Sequence, residues 1–130
     1  MSRYALPASV VLVLCCSLLL VQATSYGTTA NHLLIAEVLY DPSVADPGAE
    51  WVELLNPTAA SVDLAGWVLQ DNSSADTLPA FSLAPGQRVV VTANQEDFLA
   101  GNPGFSGALI ALGGPIGNGL SNTGDRLALK

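Results

Sequence analysis

From Leu33 to Lys130 the chain breaks into short apolar runs, several of them β-branched, each closed by Gly, Pro, Asn or Asp. Runs this short, returning this often with turn residues between them, imply an all-β domain. The first strand is read at Leu33–Tyr40. A loop over Asp41–Ala49 follows, punctuated by Pro42, Pro47 and Gly48. Trp51–Leu55 is the second strand, stopped by Asn56-Pro57, and Gly66–Leu69 the third. Asp71–Asp76 reads as a polar loop. Phe81 and Leu83 open a strand before the turn at Ala84-Pro85-Gly86-Gln87. Arg88–Thr92 is the most β-branched run. Asn94 is placed to cap one helical turn, with Asp97 answering it as in a capping box and Phe98 packed inward. Gly101–Gly119 is Gly- and Pro-rich and reads as an irregular connection around a strand at Ala108–Leu112. Arg126–Lys130 starts the last strand. No repeat and no long amphipathic helix is visible.

The N-terminus is of another kind. Arg3 precedes an apolar run from Val10 to Val21, broken by Ser17, and Val21-Gln22-Ala23 offers a cleavage site. That is the layout of a secretory signal peptide cut after Ala23. Spanning a membrane takes roughly 20 apolar residues, more than this run supplies; an uncleaved anchor is the alternative. Residues 1–23 are therefore read as a signal-peptide helix, 24–32 as a linker and 33–130 as one domain. Both cysteines, Cys15 and Cys16, leave with the signal, so a disulfide framework is excluded from the mature domain. Leu14 is bulky where a lipoprotein cut before Cys15 needs a small residue.

Without Arg3 the domain keeps three basic residues against eleven acidic ones, a net charge of −8. Free-standing nucleic-acid binding needs Lys and Arg to neutralise phosphates, so this balance argues against it. It argues equally against docking on an anionic membrane. Acidity keeps a secreted protein soluble.

Five segments then take on a joint meaning: Ile35–Pro42, Glu50–Pro57, Val62–Leu69, Leu83–Gly86 and Leu120–Asp125. In this order and spacing they resemble the lamin tail domain. The resemblance implies an immunoglobulin-like β-sandwich of about seven short antiparallel strands over residues 33–130. Its expected core is Val38, Trp51 or Val52, Leu54, Trp67, Leu69, Val89, Val91 and Leu127. The signal peptide and the Tyr-Asp-Pro and Asn-Pro loops look like the bacterial secreted type. No coiled-coil rod precedes the domain, so a filament-forming lamin is excluded. Bacterial relatives usually continue past the point corresponding to Lys130, which implies a domain truncated at its C-terminal end. The edge of the last strand would then be open to self-association.

Chemistry is sparse. His32 is the one histidine and lies at the linker edge; no Gly-x-Ser-x-Gly elbow or His-Glu-x-x-His motif occurs. Glu50 and Glu53 flank a strand beside Glu37, but strand alternation puts Glu50 and Glu53 on opposite faces. Calcium candidates are Asp41, Asp46 and Glu50 in one Gly/Pro loop, with Asp71, Asn72 and Asp76 as a second acidic cluster. Their spacing does not fit an EF-hand, and acids that initiate Asx-turns are the simpler reading. Gly113–Gly119 lacks the lysine and spacing of a phosphate cradle and reads as a flexible loop. Asn72-Ser73-Ser74 matches a glycosylation sequon. Trp51 and Trp67 are read as core residues before sugar-stacking platforms.

No catalytic residue and no cofactor is expected. The function expected is a secreted or cell-surface, non-catalytic interaction or structural module binding a protein or polysaccharide. The alternative is an accessory domain of an extracellular hydrolase or nuclease whose catalytic part is not in this chain.

Overall fold

A computed structural model describes residues 30–43 and 48–130. The signal segment with its Ala23 cut, most of the linker, and Asp46 lie outside the described residues. Nine strands and one short helix follow in order: β1 Leu34–Leu39, β2 Trp51–Leu55, β3 Val62–Asp63, β4 Val68–Gln70, β5 Ala75–Thr77, β6 Ser82–Leu83, β7 Arg88–Thr92, α1 Gln95–Gly101, β8 Ala108–Ala111 and β9 Ala128–Leu129. They form a four-stranded sheet β1-β2-β7-β8, a three-stranded sheet β5-β4-β9 and a β3-β6 pair. The domain is all-β, as the turn-broken pattern implies.

Three features depart from the sequence reading. Among the described residues the strands number nine rather than about seven, and β7 pairs with β8 in parallel, Val89 opposite Ala108 through Thr92 opposite Ala111. Parallel neighbours need a crossover connection, and α1 supplies it. Asn94 caps α1 by accepting the N–H groups of Glu96 (2.8 Å) and Asp97 (3.2 Å). The reciprocal half of a capping box is replaced, because the Asn94 N–H donates to the Gly48 carbonyl instead. The third departure is β5, which lies where a polar loop is read. It is the edge of its sheet, exposed at Ala75 and Thr77, so its composition carries no apolar strand signal.

The inner face of the large sheet contributes Val52, Leu54, Val89, Val91 and Ile110 to one core. Leu69 of β4, Leu83 of β6, and Leu33, Leu64, Leu78, Ile116 and Leu120 from connecting segments complete it. Trp67 and Leu127 pack against this cluster while only partly buried. Trp51 instead stacks edge-on against Phe98 of α1, centroids 6.2 Å apart, and Phe98 meets Phe105 at 4.9 Å. These rings form a second, smaller apolar cluster under the helix.

Register explains β1. Ile35 faces Leu54, but Glu37 faces Glu53, so Ala36 is an extra residue, a β-bulge. The bulge shifts the alternation by one. Ile35 and Val38, three apart, therefore both turn to the core side, and Glu37 turns outward. Val38, read as a core residue, nevertheless remains 37% exposed.

Turn chemistry fixes the other end of the sheet. Gln87 N–H closes on the Ala84 carbonyl at 3.0 Å, with Gly86 at φ 72, a type II turn with Pro at its first corner. Buried Asn56 ties this turn down. Its amide donates to the Ala60 and Leu83 carbonyls, both at 2.8 Å, and its side-chain oxygen accepts from Thr58.

Candidate interaction surface

The acidic residues singled out in the sequence divide by what their oxygens do. Glu50, one residue before β2, is wholly buried and accepts the Leu120 N–H. Asp71 sits just past β4 with 3% exposure. Its Oδ1 accepts the N–H groups of Ser73 and Ser74, and its Oδ2 that of Asn118 at 2.9 Å. Asp76, on β5, accepts the Gly117 N–H at 2.6 Å. Three carboxylates from three places in the sheets thus hold one segment, Gly117–Leu120. Asp71 also makes the Asx-turn expected of it.

The Gly113–Gly119 connection is therefore pinned where a flexible loop is read, and Ile116 within it is fully buried in the core. Gly117 has φ +61, and a Cβ there would collide with the Asp71 carboxylate. Glycine is required at that position by both conformation and space. Burial pushes the Asp71 carboxyl upward. The N–H donors of Asn118, Ser73 and Ser74 outweigh it and hold the group below its ordinary value.

The remaining candidates do not converge. Asp41 is exposed at the end of β1, while Glu50 is engaged inside. Among the described residues no three acidic, histidine or cysteine side chains gather as metal ligands would. Glu53 is paired with Arg88 across β2 and β7, on the face opposite the core. Glu37 lies directly opposite Glu53, so the two carboxylates are neighbours. His32 is exposed and bonded to Asn31. Asn72 of the sequon is exposed, its N–H donating to Asp125. Among the described residues no helix is long and apolar enough to cross a membrane.

One apolar surface feature lies beside β1. Val38 and Tyr40 border a groove of about 320 Å³ whose other lining is Leu120, Ser121, Asp125 and Leu127, with Gly124 at the turn. Asp125 shapes that wall by accepting the Ser121 N–H at 3.2 Å. Tyr40 is 48% exposed. Val38 and Leu127 were visible in the sequence as core residues, but the opening between them was not. Tyr40, an aromatic residue just past β1, is the local signal that could have marked it.

Stacked small sheets around a shared apolar core, with acids engaged in holding loops, define an immunoglobulin-like module of the β-sandwich class. Residues 27–130 match the lamin tail domain family, and the chain belongs to it. Lamin tail domains are non-catalytic immunoglobulin-like modules. No curated protein matches the chain.

Proposed function

We propose that the chain is an exported, non-catalytic interaction module of the bacterial lamin tail type. Its signal peptide is cut after Ala23, and the domain works by binding a protein or polysaccharide outside the cell. The observation that supports the non-catalytic reading is the use made of the buried acids. Glu50 and Asp71 accept backbone N–H groups and hold a loop in place. A carboxylate occupied in this way is an architectural acceptor rather than an acid or base poised for a substrate. Support for export comes from Arg3, the apolar run to Val21 and the Val-Gln-Ala site.

Fractionation of producing cells with N-terminal sequencing of the protein tests the reading. The expected result is an exported chain beginning at Thr24. An intact N-terminus in the membrane fraction would establish the anchor in its place, and a soluble uncut chain inside the cell would remove export altogether.

A further inference from the structure

The groove beside β1 is a seam between two open sheet edges. In the described residues β1 is terminal in its sheet, bonded only to β2, and β9 is terminal in its own, bonded only to β4. Val68 and Lys130 exchange both backbone hydrogen bonds at 2.9 Å. Leu129, the next residue inward, faces Leu69 in the non-bonded register, so its own N–H and C=O point away from β4. Among the described residues a groove lined by Val38, Tyr40 and Leu127 opens between these edges. Val38 stands opposite Val52 and so faces the same side of the sheet; Val52 has no exposed surface and Val38 is 37% exposed. An edge strand with unpaired N–H and C=O groups beside exposed apolar surface is a template for strand addition.

Charge says what kind of strand would cover it. Glu37, on the other face of β1, has a carboxylate directly across from it in Glu53, and Arg88 bonds Glu53. Among the described residues Glu37 has no ion-pair partner. Asp41 follows β1, and Asp125 lies in the groove wall. Among the described residues, the basic residues Arg126 and Lys130 lie at the far rim, on the β9 side. The whole chain carries −7, so a second copy would bring like charge to the seam.

We propose that β1 accepts an extended segment of a basic partner protein as an added antiparallel or parallel strand. Alternate apolar side chains of that segment seat on Val38, Tyr40 and Leu127, and the Lys or Arg residues between them face Glu37. Main-chain hydrogen bonds give the affinity, while the groove and Glu37 give the selection. This rests on the reading of the chain as an interaction module and names the chemistry of its partner.

The test is titration of the whole isotope-labelled protein with a blocked octapeptide of alternating valine and lysine, followed by amide NMR shifts. Shifts centred on β1, Tyr40 and Leu127 are expected. Methylating alternate peptide nitrogens on the bonding edge should weaken binding about tenfold or more. Replacing lysine by glutamate in the peptide should weaken it about fivefold, and Glu37→Lys should reverse that preference. Because Glu37 is exposed, that variant folds normally by its amide spectrum or is replaced by Glu37→Gln, which should erase the preference. Shifts elsewhere, indifference to N-methylation or to the Glu37 variants, or no binding at millimolar peptide would each overturn the proposal. So would a dimer in sedimentation whose contacts protect β1, since a second copy would then be the occupant. A peptide that fails to bind an exported, processed chain removes this inference alone; an uncut intracellular chain that still binds it removes only the export reading.

Discussion

Glu50 and Leu120 stand 70 positions apart and meet inside the core, the Leu120 N–H lying 2.9 Å from Oε1 and 3.1 Å from Oε2 of the buried carboxylate. An N–H stranded in the core without its acceptor costs its desolvation. Glu50→Ala should therefore lower stability by about 2–4 kcal/mol. Glu50→Gln, which keeps one acceptor oxygen, should lose less. Urea denaturation of both variants measures the difference.

Asp71 makes acid stability readable. Its folded carboxyl lies below its ordinary value, so the unfolded chain takes up the proton first. The stabilisation it gives is complete above that ordinary value, near pH 4, and is lost as the pH falls through the lower folded value. Asp71→Asn should be less stable at neutral pH and should show a flatter stability profile below pH 4. An unchanged slope in a pH series of thermal melts would count against this role.

Gly117 cannot be replaced cheaply. At φ +61, with the Asp71 carboxylate where a Cβ would stand, Gly117→Ala should cost about 2 kcal/mol or more. Asp71→Ala in the same chain removes the obstruction, so the double variant should lose less than the two single losses added. A double-mutant cycle by chemical denaturation checks it.

Calcium should leave the melting temperature nearly unchanged. Asp41 is exposed, and Glu50 has both oxygens turned to the Leu120 N–H. A calcium site filled at a hundred times its dissociation constant would add about 2.7 kcal/mol. A clear rise in Tm at millimolar calcium that Asp46→Ala abolishes would show a site after all.

What could be read from the sequence was local. Ala84–Gln87 is a turn because Pro85 and Gly86 have the backbone preferences that turn needs, whatever surrounds them. Asn94 caps a helix through N–H groups two and three residues away. Arg88–Thr92 is a strand by composition and by structure alike. Pairing partners were not legible. Nothing in Ala108–Ala111 says that it runs parallel to β7, since that depends on how α1 packs. The bulge at Ala36 left no composition signal, and it decides which of Glu37 and Val38 faces the core. Val38 and Leu127 read as core because their faces are right, but whether a neighbouring strand covers them is a property of the assembled edges. The burial of Glu50 was invisible for the same reason: the Leu120 N–H that it accepts lies far along the chain.

The three carboxylates that grip Gly117–Leu120 also order the events of folding. Their partners lie 70, 47 and 41 residues away in sequence. None of these bonds can form until β2, the β4–β5 hairpin and the connection after β8 have been brought together. Long-range closures of this kind slow folding and come late, after local turns and hairpins have formed. The loop works as a latch that closes only on a correctly assembled sandwich. Its closing also buries Ile116, so the last backbone bonds and the last piece of the core arrive together, and a chain with misregistered strands is left with both undone.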